Sequence, residues 1–217
     1  MPSLEREYRM MPVMEIRKAE DDHDDGSMIV EGYASTFEPY VLFTDPDTGT
    51  EYKEQIDPKA FDDADTSDVL FLYNHEGQVM ARNRTGTLQL STDDHGLKVV
   101  ADLSKSARAR EMYEEIQNGL VDQMSFAFTV EEDKYSRDTH TRTILRMRKL
   151  YDVSAVSMPA NPGTAIQARS ASWLDGAIEQ DRAERAERLA AEEREKRIEA
   201  LQAAIRKARK YDDTRTD

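Results

Sequence analysis

The sequence contains no cysteine. Structural disulfides and thiolate metal sites are thereby excluded, and the chain has no need of an oxidising compartment. No apolar run approaches the roughly 20 residues that span a bilayer, and the N-terminus lacks a signal-peptide apolar region. A cytoplasmic chain with no membrane partner is expected. A basic surface is missing too. The net charge is −14, and nearly all of it falls within residues 1–174. Nucleic acid and anionic membranes both need a basic footprint, so nucleic acid is not expected as a partner. There are four histidines and no His-x-x-x-His spacing. A metal hydrolase built from His75, Glu76 and nearby aspartates is therefore set aside, and neither metal nor cofactor is expected. The Gly-x-Ser-x-Gly elbow of many hydrolases is also absent.

What is present is organised around Gly119 to Val130. Met124, Phe126, Phe128 and Val130 fall on one face of a strand, and Ser125, Ala127 and Thr129 on the other. Alternation with period two marks a half-buried strand. The second face is small and weakly polar, which suits a serine at the floor of a cleft. Taken alone, it suits better a strand whose outer face merely happens to be small.

The 217 residues suit one domain of ordinary size with an extension. A first strand is expected after Pro12, with Met14 and Ile16 inward, and residues 1–10 carry no clear signal. Asp21 to Gly26 reads as a charged turn. A second strand spans Ser27 to Phe37. Phe43 to Tyr52 reads as a loop with turn chemistry. Asp57 is placed as the N-cap of a short helix, with Pro58 at its first position. Asp68 to Tyr73 is a strand that runs into Asn74-His75-Glu76-Gly77. His75 there is either a base held at a rim or an ordinary loop histidine. Gly86 to Ser91 and Leu97 to Leu103 form a hairpin, with His95 in its turn. Ser106 to Asn118 is a helix whose stripe is Ala109, Met112, Tyr113 and Ile116. Glu131 to Arg142 reads as a polar loop. Ile144 to Ser157 is a long strand that ends before Pro159 and Pro162. Asp152 sits in it among apolar residues, either to orient a histidine or as an exposed edge residue. Residues 176–210 form one long helix rich in Ala, Glu and Arg, with a thin stripe of Leu189, Ile198, Leu201 and Ile205. Residues 211–217 are expected to be disordered.

His75, Ser125 and Asp152 make a chemically workable set. A serine hydroxyl is a poor nucleophile until a base takes its proton. Neutral imidazole suits that task, and a carboxylate fixes its tautomer.

The series of motifs resembles the prohead proteases of tailed bacteriophages and is distantly similar to the herpesvirus assemblins. The matching stretches, in order, are Glu31 to Phe37, Ile56 to Phe61, the strand into Asn74-His75-Glu76, Thr85 to Leu88, Asp94 to Leu97, Gly119 to Phe128 and Leu150 to Pro162. The resemblance implies a serine endopeptidase with His75 as base, Ser125 as nucleophile and an acid at Asp152, a position where the family often has Glu. It implies an α+β fold, a compact and mostly antiparallel β-barrel with peripheral helices, followed here by the long charged helix. The protease domain is set at 1–170 and the helical extension at 171–217. The role implied is cleavage of scaffold segments from the major capsid protein, and of the protease itself, inside the assembling procapsid in the host cytoplasm. The extension would serve as a tether or for self-association. A non-enzymatic scaffolding protein that keeps the fold is the alternative. Ser154 and Ser157 read as strand filler.

Overall fold

Two faces of one central strand organise the architecture, and the other elements follow from what each face buries. The computed structural model describes residues 5–15, 17–18, 28–157 and 172–213. Contacts divide the chain into two units, Met1–Ala171 and Ser172–Asp217.

In the first unit the strands are β1 (Glu7–Glu15), β2 (Arg17–Lys18), β3 (Ile29–Thr36), β4 (Tyr40–Thr44), β5 (Glu51–Ile56), β6 (Leu70–Tyr73), β7 (Glu76–Arg82), β8 (Leu88–Thr92), β9 (Gly96–Asp102), β10 (Gln123–Ser136) and β11 (Thr141–Val156). Helix α1 spans Ala107–Gln117. The larger sheet runs β1-β10-β11-β5-β4, with β6 and β7 attached through β11, and the smaller runs β2-β3-β9-β8. The class is α+β and mostly sheet. Among the described residues the ladders form these two sheets and close no barrel. Pairing is antiparallel except along one edge of β11, where β5 and then β6 pair with it in parallel.

Met124, Phe126, Phe128 and Val130 join Val30, Leu97 and Leu150 in the main hydrophobic cluster. Strand β10 is not half-buried, however. Ser125, Ala127 and Thr129 are buried as well, so both faces are covered from Met124 to Val130. Helix α1 starts where the sequence places its cap: the Ser106 hydroxyl accepts from the Ala109 amide at 3.1 Å. Its buried face is Ala109, Met112, Tyr113 and Ile116. The β8–β9 hairpin also forms as its sequence predicts. Gly96 is required in it, because a Cβ there would lie 1.9 Å from the Ser35 carbonyl oxygen. His95 stays in the turn, edge-on to Tyr33.

Four local expectations are corrected. Strand β1 begins at Glu7 and contains Pro12. The side chains of Met14 and Ile16, and all of Asp21 to Gly26, lie outside the described residues. Phe43 to Tyr52 contributes to a β4–β5 hairpin. Residues after Asp57 form consecutive turns and no helix: Asp57 Oδ1 accepts from the Lys59 amide at 2.9 Å, an Asx turn that satisfies the same carboxylate without nucleating one. Glu131 to Ser136 continues β10 and Thr141 opens β11, which leaves only residues 137–140 as the loop. The polar residues there give no strand signal, because neither face of that ribbon end is apolar.

The second unit is a single helix, α2 (Ser172–Asp213). It extends past both ends of its predicted span and takes in residues 211–213 of the expected disordered tail, and residues 214–217 lie outside the described residues. Leu189, Ile198 and Leu201 of its stripe are exposed.

Candidate active site

Three strands converge on one face of the larger sheet. In the β10–β11 ladder Ser125 sits opposite Ser154 and Ala127 opposite Asp152. Side chains two apart share a face, so Ser125, Ser154 and Asp152 stand together. Strand β6 lies on the other edge of β11, pairing Asp152 with Leu70 and Ala155 with Tyr73. The next residues, Asn74 and His75, turn back over that face.

That turn is a two-residue hairpin loop closed by the Tyr73–Glu76 pair. Both central residues have positive φ, 49° at Asn74 and 62° at His75. Positive φ at both positions is the mark of a type I′ turn, whose twist matches the flanking strands. Asn tolerates this conformation and His does so at a cost of roughly 1–2 kcal/mol. The turn is pinned to the end of β11: the Asn74 amide donates to the Ala155 carbonyl at 3.0 Å, and the Ser157 amide donates to Asn74 Oδ1 at 3.3 Å. Strain held in place by its surroundings is characteristic of functional positions.

The result is a continuous relay. His75 Nε2 is 2.6 Å from Ser125 Oγ, and His75 Nδ1 is 2.6 Å from Asp152 Oδ1. Asp152 is 2% exposed, so its carboxylate needs partners within the protein. Its second donor is the Ser154 hydroxyl, at 2.8 Å, which also lies 3.3 Å from His75 Nδ1. A carboxylate accepts only, which assigns the proton to Nδ1 and leaves the Nε2 lone pair for the serine. All three residues singled out from sequence are thus brought together. Of the two readings of Asp152, the exposed edge residue is excluded. Ser125 is 1% exposed and lies beneath the imidazole, not on the floor of an open cleft.

Three participants were not singled out. Ser154 is a hydrogen-bond partner of the acid and not filler. Its signal was its position two residues from Asp152 on the same face. The other two are on β1. The ring of Tyr8 meets that of His75 edge-on, with centroids 4.8 Å apart, and the Arg9 carbonyl accepts the Ser125 hydroxyl at 2.8 Å. The ladder between β1 and β10 breaks just after Met10–Ser125 and resumes at Glu15–Gln123.

The opposite face of β1 carries a buried charge network. Arg9 donates to Glu7 and, through Nε at 2.5 Å and Nη2 at 2.9 Å, to Glu54. Arg142 donates to Glu7 at 2.8 Å, to Glu54 at 3.0 Å and to Asp133 at 2.5 Å, and the Tyr40 phenol donates to Glu54. Burial opposes ionisation of Glu54, but Arg9 and then Arg142 outweigh it and hold the carboxyl below its usual range. Burial likewise opposes the charge on Arg9, and Glu54 and Glu7 more than compensate.

Beside the hairpin a cavity of about 360 Å³ opens between β7 and α1. Tyr73, Met80 and Met112 supply its apolar lining, and Glu76, Glu111 and Glu115 its acidic one. A volume of this order falls in the range that holds small ligands or side chains, about 300–1,000 Å³.

The remaining described histidines do not share this arrangement. His140, in the β10–β11 loop, packs edge-on against Tyr52.

Comparison with protein families matches residues 14–175 to a family model described as caudovirus prohead serine protease. No curated protein and no solved structure matches the chain.

Proposed function

The chain belongs to the caudovirus prohead serine protease family, and from that premise we propose that it is a serine endopeptidase in which Ser125 attacks, His75 carries the proton and Asp152 holds the imidazole. Membership makes it a capsid maturation protease, with a capsid protein as substrate and the procapsid as its place of action. The finer reading is that it removes scaffold segments from the major capsid protein and also cleaves itself. The observation that carries the chemical assignment is the hydrogen-bonded relay Ser125–His75–Asp152, with both links at 2.6 Å.

The steps follow from those contacts. As Ser125 Oγ bonds to the scissile carbonyl carbon, its proton passes to His75 Nε2. Asp152 stabilises the imidazolium and keeps it from turning. The imidazolium then protonates the leaving amine as the carbon–nitrogen bond breaks, giving an acyl-enzyme. Water attacks the ester, His75 takes its proton, and the hydroxyl of Ser125 is restored. The cavity between β7 and α1, lined by Tyr73 and Glu76 on either side of the His75 turn, is a place for a substrate side chain.

The helix α2 is assigned to assembly. Its exposed Leu189, Ile198 and Leu201 suit pairing with a second helix, either of another copy or of a scaffold segment.

The test is co-expression with the capsid protein as wild type, Ser125→Ala and His75→Ala, read by intact mass. Processing in wild type and in neither variant is expected. Processing that survives Ser125→Ala would remove the serine assignment, and assembled procapsids with no processing in any sample would favour a scaffolding role.

A further inference from the structure

Strand β1 touches the relay at two consecutive residues while its other face is locked in place. Tyr8 is the register partner of Ala127, and so it lies on the Ser125 and Asp152 side of the sheet. Its ring meets the imidazole at an interplanar angle of 75°, an edge-to-face arrangement favoured by the aromatic quadrupole. Arg9 points its side chain to the opposite face, into the network with Glu7, Glu54 and Arg142, and leaves its carbonyl on the Ser125 hydroxyl.

We propose that β1 is a positioning element of the catalytic centre: the Tyr8 ring fixes the orientation of His75, and the Arg9 carbonyl, immobilised by the buried charge network, fixes the position of the Ser125 oxygen. This rests on the reading of Ser125 as the nucleophile.

The geometry gives each contact a distinct task. The Nδ1 end of the imidazole is held by Asp152 and Ser154. The Nε2 end has Ser125, the group whose proton it must take, and that bond is remade in every cycle. A ring held at one end by hydrogen bonds and loose at the other would swing, and misplacement of about 1 Å is costly in a proton transfer. Tyr8 supplies a ring contact that does not depend on the bond at Nε2. Ser125 in turn has one hydroxyl hydrogen and two acceptors, Nε2 at 2.6 Å and the Arg9 carbonyl at 2.8 Å. The one hydrogen bonds fully to one acceptor at a time, so the carbonyl competes with Nε2 and keeps the oxygen within reach of both. The carbonyl is a backbone group, so its placement depends on where β1 sits, and that depends on the charges of Glu7, Arg9, Glu54 and Arg142.

Tyr8 is 38% exposed, which makes it the residue to change. The full chain is labelled with an alkyl fluorophosphonate, and the rate of adduct formation at Ser125 is followed by intact mass for wild type, Tyr8→Phe, Tyr8→Leu and Tyr8→Ala, with thermal midpoints measured alongside. Labelling reports the reactivity of the serine without involving a peptide substrate. The expected result is labelling slowed by about three- to tenfold in Tyr8→Ala and Tyr8→Leu, rescue to near the wild-type rate in Tyr8→Phe, and unchanged midpoints. An unchanged or faster rate in Tyr8→Ala would overturn the proposal. So would a Tyr8→Phe rate as slow as that of alanine, which would shift the role from ring to hydroxyl. Loss of the folded state in both the Ala and Leu variants would assign Tyr8 to the scaffold instead. A wild-type chain that takes no label at Ser125 would instead sink the underlying serine-protease reading, an outcome distinct from the others.

Discussion

At the scale of single residues, the decisive quantity is how a buried carboxylate is satisfied. Asp152 has its two donors in His75 and Ser154, and each offers a different test. Asp152→Asn keeps the shape but removes the charge that stabilises an imidazolium, and it permits the wrong tautomer. Turnover of a capsid-derived peptide is expected to fall by about 10³–10⁴-fold. Ser154→Ala removes one donor and leaves the histidine link, so a fall of about tenfold is expected. Equal losses in the two variants would mean that the hydroxyl and the imidazole do not divide the work in this way. The three relay residues could be singled out because each stands against its surroundings, Ser125 on a small strand face, His75 at the end of an apolar strand and Asp152 as an acid in an apolar run, and the family resemblance implied their roles. Ser154 was not legible, because its one signal, a position two residues from Asp152 on the same face, means little until that face is known to carry the relay. The positive φ of His75 was hidden for the same reason: its cost is offset by hydrogen bonds that only the folded chain provides.

Elements legible in the sequence were those with an apolar face or run. Helix α1 and the β8–β9 hairpin announce themselves by periodicity, and β6 by an unbroken apolar run from Val69 to Tyr73. Strand β1 does not, since its alternation is between charged residues and Tyr8. Glu7, Arg9, Glu54 and Arg142 each look solvated when taken alone. They are buried because β1, β5 and β11 converge, and no local pattern records that convergence. The network makes a prediction at this scale. Removing one member of a buried ion cluster leaves its partner uncompensated, so Glu54→Ala is expected to lower the unfolding free energy by about 3–5 kcal/mol in urea titrations. A loss below about 1 kcal/mol would show the network to be dispensable. Glu54 is ionised more readily in the folded chain than in the unfolded one. Its contribution is therefore complete above the unfolded carboxylate range, near 4.5, and is lost as the pH falls through the lower folded value. Glu54→Gln is expected to flatten the acid limb of stability against pH. An acid limb of unchanged slope would place that dependence on other carboxylates.

The molecule as a whole joins a sheet-rich unit to a helix, α2, of 42 residues. At 1.5 Å per residue such a helix reaches about 63 Å, and its apolar stripe is too thin to form a core of its own. An assembly role predicts that deleting residues 176–217 reduces incorporation into procapsids while Ser125 remains reactive in the truncated chain. Incorporation at the wild-type level would remove the tether assignment. The composition change at the start of α2 was plain in the sequence. The barrel expected of the first unit came from the family resemblance, whereas the arrangement into two sheets depends on long-range pairings, above all the parallel use of one edge of β11 by β5 and β6.

The most direct measurement is to locate the fluorophosphonate adduct on the wild-type chain by peptide mapping, with His75→Ala alongside. The expected result is a single adduct on Ser125 in wild type and none in the histidine variant. An adduct on Ser154 or Ser157, or one on Ser125 that forms equally well without His75, would contradict the account.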